Sequence, residues 1–80
     1  MPVENHSLAN EFPEFKERIH QLKVRDTHFA RLFSEYDRIE HMVQHIESGV
    51  QNVADEVLED LKKQRLHLKD QLFGLLNKAA

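Results

Sequence analysis

The chain has 80 residues, a formal net charge of −3 with neutral histidines, and no cysteine. A chain of this length forms one domain with a small core, and without cysteine it holds neither disulfides nor thiolate metal sites. The opening run MPVENHSL lacks the apolar centre of a signal peptide, and no apolar stretch is long enough to span a membrane, so we expect a soluble cytoplasmic protein.

Residues 1–10 are mostly polar, with Val3 and Leu8 as the apolar exceptions. We expect a flexible N-terminus there, with at most one helical turn near its end, followed by a single helical domain over residues 11–78. Pro13 predicts a helix start, because a proline in the first turn gives up an N–H that has no partner in the helix anyway. The first helix is predicted over about residues 13–24.

The next segment contains Asp26, whose carboxylate can cap the N-terminus of a helix over about residues 27–48. The apolar spacing nevertheless runs from Leu22 through Asp26 to Phe29 without a change of phase. A single continuous helix is therefore an alternative to the break or sharp kink that we favour. We count Asp26 among the polar residues with a structural role.

The helix over 27–48 has the strongest apolar pattern in the chain, with alternating steps of three and four residues, which is typical of a heptad seam. Its seam consists of Phe29, Leu32, Tyr36, Ile39, Val43, Ile46 and Val50. Gly49 can adopt the left-handed conformation that ends a helix.

A third helix is predicted over about residues 53–77, with Asn52 as its N-cap. Its seam consists of Leu58, Leu61, Arg65, Leu68, Leu72 and Leu75. Because a short turn makes two such helices antiparallel neighbours, the predicted class is all-α: a long, coiled-coil-like antiparallel hairpin with a shorter N-terminal helix.

Arg65 is the charged exception on the third seam, and the predicted register places it opposite Tyr36. We interpret the two as a structural polar pair that sets the register. The charge of Arg65 would be met by one of the carboxylates in range, Glu35, Asp37 or Glu40. An anion site between the helices is the alternative interpretation.

The first helix has no partner within a straight hairpin. It either folds back across the hairpin or overhangs it and packs against a second copy of the chain. The candidate self-association face consists of Phe12, Phe15, Ile19, Leu22 and Phe29. Burying such side chains is favourable by about 1.5–3 kcal/mol each, so we expect a homo-oligomer, either a dimer or a larger bundle.

Two other features point to different functions. The last helix carries a basic edge of Lys62, Lys63, Arg65 and Lys69, which makes a small nucleic-acid-binding regulator an alternative, although interspersed acidic residues and the net charge disfavour it. His41 and His45 are one helical turn apart, as in a metal site or a pH-responsive switch, but no third ligand follows at a fixed spacing. We predict no catalytic, cofactor-binding or metal-binding residue.

The run EFPEFKERIHQLKVRDTHFARLFSEYDRIEHMV, followed by LEDLKKQRLHLKDQL, resembles the YdcH-like family of small bacterial proteins of unknown function. The resemblance covers about residues 7–76. It implies a helical hairpin that tends to self-associate, with no established activity or cofactor. Relatives often carry a proline just after the position of Asp26, which implies a helix start there. Ala54 departs from a serine cap common in the family, which is why Asn52 is the expected cap.

These observations favour a non-enzymatic helical module that self-associates and binds an unidentified protein partner.

Overall fold

A computed structural model of the chain describes residues 6–78, and every regular element within that range is helical. The helices are α1 (Leu8–Glu11), α2 (Lys16–Arg25), α3 (Thr27–Glu47) and α4 (Asp55–Lys78), with a 3-10 turn at Pro13–Phe15. The predicted all-α class is confirmed. The part of the expected flexible N-terminus that covers residues 1–5 lies outside the described residues.

Helices α3 and α4 form the antiparallel hairpin. Two ion pairs join them at successive levels, from Glu47 to Lys62 and from Glu40 to Arg65. Because apolar residues recur every three or four positions, each helix presents one continuous apolar face to the other. The buried side chains on these faces are Phe29, Tyr36, Ile39 and Val43 on α3, and Leu61, Leu68, Leu72 and Leu76 on α4.

The hairpin turn begins at Gly49, which has a φ of 85°. The carbonyl of His45 accepts from the backbone N–H groups of Val50 and Gln51 at 3.0 and 3.2 Å, so the end of α3 is closed by backbone hydrogen bonds.

The start of α4 differs from the expected helix start at residue 53. The carbonyl of Ala54 accepts from the N–H groups of Val57 and Leu58, at 3.0 and 3.3 Å, and the first helical residue is Asp55. Asn52 lies too far ahead of the first turn to act as its cap. The acidic side chains of Asp55 and Glu56 instead lie in the first turn, where the helix dipole favours negative charge.

A break at Asp26 separates α2 from α3. The residue is extended, with φ −117° and ψ 107°, and its carboxylate accepts from the N–H of Phe29 at 3.1 Å. The structure therefore has an N-cap at this position and not a continuous helix. Because the chain changes direction here, α2 folds back along the hairpin.

The segment before α2 also packs against the hairpin, although a flexible N-terminus with at most one helical turn near its end was predicted for residues 1–10. Ser7 caps α1 by accepting from the N–H of Asn10 at 3.4 Å. Leu8 is only 1% exposed and belongs to the main apolar core. Leu8 is thus one of the contacts that hold this segment on the fold.

The described chain has two layers. The first layer, α1 and α2 with the 3-10 turn between them, covers one face of the α3–α4 hairpin. Arg18 on α2 donates to the carbonyl of Leu76 at 3.2 Å, and the Lys23 ammonium lies 4.3 Å from the ring centre of Phe33. Nothing within residues 6–78 covers the opposite face of the hairpin.

Candidate functional site

Arg65 and Tyr36, the predicted polar pair, lie on the covered face of the hairpin and line one cleft. The Arg65 guanidinium is 2.7 Å from a carboxylate oxygen of Glu40, and the Tyr36 hydroxyl donates to the backbone carbonyl of His6 at 2.5 Å. The two side chains therefore bind different groups. Glu40 supplies the carboxylate that pairs with the charge of Arg65.

Glu40 is the central residue of this cluster, and it is one of the three carboxylates that the predicted register placed in range of Arg65. Its side chain is 3% exposed, yet both oxygens are engaged. One accepts from Arg65, and the other accepts from the backbone N–H of His6 at 2.5 Å and from the Gln44 amide at 3.0 Å. The available signal was its position four residues after Tyr36 and three before Val43, which places it on their helix face.

The cluster continues to α1 through Glu11. Its carboxylate lies 3.3 Å from both the Lys69 ammonium and the His6 ring Nδ1. Burial acts to raise the pKa of Glu11, but hydrogen bonding and charge from Lys69, then from His6, outweigh it, so the pKa is lowered overall. Glu11 is therefore held as a carboxylate that binds α1 to α4.

The pKa of Tyr36 is shifted upward in the same cleft in which the pKa of Glu11 is lowered. Burial, and then the charges of Glu11 and Glu40, raise the pKa of Tyr36 well above its ordinary value, while Arg65 acts against them. The phenol is thus held neutral as a hydrogen-bond donor, because ionisation would place a third negative charge in the cleft.

The cleft has a volume of about 270 Å³ and includes part of the predicted basic edge. Each base that lines it has an acidic partner: Lys62 pairs with Glu47 at 3.2 Å, Lys69 pairs with Glu11, and Arg65 pairs with Glu40. An anionic ligand or a nucleic-acid phosphate would have to displace these carboxylates. The arrangement therefore serves chiefly to hold the three helices together.

The histidine pair on α3 lies at the surface. The His41 ring is 3.5 Å from the carboxylate of Asp37, and both side chains are more than half exposed. Within residues 6–78, no group of three histidine or acidic side chains is arranged to hold a metal ion.

The proposed self-association face is used largely within the single chain. Ile19 is 4% exposed and Phe29 is fully buried in the core. Phe12 stacks on Phe73 of α4 with ring centres 5.1 Å apart, and Phe15 meets the same ring at 6.2 Å. Leu22 packs half-buried against the core. This is the fold-back arrangement, in which α2 buries its apolar side chains against its own hairpin.

An open groove lies on the opposite face of the hairpin, between α3 and α4. It has a volume of about 370 Å³. Its lining consists of Glu35, Ile39, Lys63, Gln64, His67 and Leu68. Half-buried Leu32 and Met42 extend the apolar surface along α3, because Leu32 lies three residues before Glu35 and Met42 lies three residues after Ile39. We refer to these residues as the open groove.

Helices in the described range are too short or too polar to cross a membrane. Comparison with known proteins finds the family described as "Protein of unknown function (DUF465)", whose model matches residues 29–76. The uncharacterized protein YdcH of Escherichia coli (strain K12) is 29% identical over 65 residues, which cover 81% of this chain and 88% of that protein.

YdcH of Shigella flexneri matches with the same identity and coverage, and no solved structure matches the chain. The predicted YdcH-like membership is confirmed. The family model covers α3 from Phe29 onward, the turn, and α4 as far as Leu76, which is more than half of the chain. The protein therefore belongs to the DUF465 family of proteins of unknown function.

Proposed function

We propose that this protein is a non-enzymatic helical interaction module that self-associates through a helix face and presents its remaining surface to a protein partner. The observation that carries this proposal is the open groove, an apolar strip on the hairpin that α1 and α2 leave uncovered. The opposite face of the hairpin uses the same kind of apolar strip to bind α1 and α2.

The polar cluster is consistent with a structural role, because its members bind one another across helices. Arg65, Glu40, Lys69 and Glu11 make ion pairs between helices, and Tyr36 is held neutral. A general acid or base would need a pKa near the working pH and access to substrate, and this cluster instead joins α1, α3 and α4.

Sedimentation velocity over a wide range of concentration tests the proposal. We expect a species of at least twice the 9.5 kDa chain mass that dissociates on dilution. A chain that stays monomeric at every concentration contradicts self-association. Gel-shift titrations with RNA and DNA form the comparison: binding that weakens steeply with salt would favour the nucleic-acid alternative through Lys62 and Lys69.

A further inference from the structure

We propose that a second copy of this chain occupies the open groove, related by a twofold axis parallel to the helices. In this arrangement, α3 of each copy lies over α4 of the other, and the two hairpins form a four-helix bundle with α1 and α2 on its outer sides. The inference rests on the proposed self-association and names the surface, the occupant and the orientation.

Ile39 and Leu68 form the apolar floor of the open groove. Leu32, Met42 and Leu75 are half-buried in the single chain and pack against the core. Helical spacing places Leu32 and Met42 on the Ile39 face of α3, and Leu75 on the Leu68 face of α4. A strip with this spacing on two antiparallel helices matches the face that an identical hairpin offers, since four-helix bundles bury such strips.

The two edges of the open groove carry charged side chains. Glu35 lies on the α3 edge with its side chain 47% exposed, and Lys63 and His67 lie on the α4 edge. Glu35 pairs with Arg38 on its own helix, whereas Lys63 makes no ion pair among residues 6–78. The α3 edge therefore carries the acid Glu35 with Arg38 beside it, and the α4 edge carries the cation of Lys63.

The twofold axis parallel to the helices makes these edges complementary. It places Glu35 of each copy near Lys63 and His67 of the other, so the favourable contact occurs twice in an isologous interface. Each helix then runs antiparallel to both of its neighbours, which is favourable for the helix dipoles. A twofold axis in the plane of the interface but perpendicular to the helices would instead place α3 on α3 and α4 on α4. In that arrangement Glu35 would meet no base from the α4 edge.

Two charge reversals test this geometry, Glu35→Lys and Lys63→Glu. Each variant alone gives a homodimer with like charges at both contacts, so we expect self-association to weaken about tenfold or more. A one-to-one mixture of the two variants forms a mixed dimer. In that dimer the introduced lysine meets the introduced glutamate, and the native Glu35 meets the native Lys63, so the mixture should recover the wild-type mass.

Glu17→Lys is the matched control, because Glu17 is an exposed acid on α2, away from the open groove. It should leave the wild-type mass unchanged. Circular dichroism melts of each variant establish that the chain is folded before its mass is compared. Recovery in the mixture distinguishes a contact between copies from an effect within one chain, since a defect within each chain would persist after mixing.

The outcomes separate this inference from the proposed function. A monomeric wild-type chain overturns both. A wild-type chain that associates, with single variants of unchanged mass, overturns the groove as the interface and leaves self-association standing. Weakened single variants that fail to recover on mixing overturn the parallel twofold arrangement.

Discussion

The Arg65 guanidinium on α4 lies 2.7 Å from the carboxylate of Glu40 on α3, and the Glu40 side chain is 3% exposed. The same carboxylate accepts from the backbone N–H of His6 just ahead of α1. One buried acid therefore binds the returning arm of the hairpin and the N-terminal segment at the same level. A slip of the hairpin by one turn would leave this carboxylate without its cation, which is unfavourable in a buried position.

Replacing Arg65 by methionine is expected to leave a helical protein that is less stable by about 3 kcal/mol, because the buried Glu40 carboxylate loses its partner. We also expect a mixture of hairpin registers or association states. Urea denaturation followed by circular dichroism measures the first effect, and sedimentation velocity measures the second. Arg38→Met removes an exposed ion pair to Glu35 and serves as the control for the urea denaturation alone, with no measurable change in stability expected.

Adding Glu40→Gln to Arg65→Met removes the unpaired charge, so the double variant should regain much of the lost stability. A double variant no more stable than the single one would show that the loss has another origin. A uniform association state equal to that of the wild type would contradict the register role of Arg65.

The titration of Tyr36 can be followed by tyrosinate absorbance without overlap from other residues, because the chain has one tyrosine. Burial and the carboxylates of Glu11 and Glu40 raise the pKa of Tyr36 above its ordinary value of 10.0. The unfolded chain therefore loses the phenol proton at a lower pH than the folded chain does. The contribution of Tyr36 to stability is complete below about pH 10 and declines as the pH rises above that value.

Tyrosinate absorbance of the folded protein should thus appear only above the pH at which it appears in the urea-unfolded chain. A folded-state transition at the same pH as in urea would contradict the buried, hydrogen-bonded position of Tyr36. For the stability effect, Tyr36→Phe is the comparison, since this variant lacks the ionisable phenol while keeping the ring.

Leu8 provides a test of the N-terminal segment. Leu8→Ala removes a side chain that is 1% exposed, and we expect a loss of about 2–5 kcal/mol. The matched control is Val24→Ala, which shortens an aliphatic side chain that is 77% exposed and should change stability by less than about 0.5 kcal/mol. Equal, small effects in urea denaturation would mean that residues near Leu8 contribute little to the fold.

Alanine substitutions at the two glycines should change the free energy of unfolding in opposite directions. An added methyl group finds no atom within 4 Å at either Gly49 or Gly74, so backbone conformation decides the outcome. Gly49 has a φ of 85°, and Gly49→Ala should destabilise the chain by about 1–2 kcal/mol. Gly74 lies inside α4, where Gly74→Ala should stabilise by about 1 kcal/mol. Thermal melts check both, and the same sign for both variants would contradict the turn geometry.

The helical class and the hairpin were predictable from sequence because they depend on local spacing. The heptad seam from Phe29 to Val43 appears directly as steps of three and four residues. A short turn between two such helices makes them antiparallel neighbours. Asp26 was recognisable as a cap for a similar reason, since a capping carboxylate bonds to an N–H only a few residues away.

The contacts of Glu40 and Leu8 were not predictable in this way. The predicted register placed Glu40 in range of Arg65 together with Glu35 and Asp37, but spacing alone could not choose among the three or show that Glu40 is buried. Leu8 is a single apolar residue in a polar segment, so no periodic apolar pattern indicates that its side chain is buried. Both are buried because α1 happens to return to the middle of the hairpin, and that contact joins residues far apart in the chain.

The sequence by itself determined three helical segments, the break at Asp26 and the antiparallel pairing of the last two helices, because hydrogen bonds and side-chain periods within a helix are local. Only the tertiary structure decided which face of the hairpin α2 would cover. The phenylalanines of the first helix can bury themselves equally well in a second copy or in their own hairpin, and the spacing is the same in both cases. Folding back placed Phe12 on Phe73 and left uncovered the groove whose floor is formed by Ile39 and Leu68.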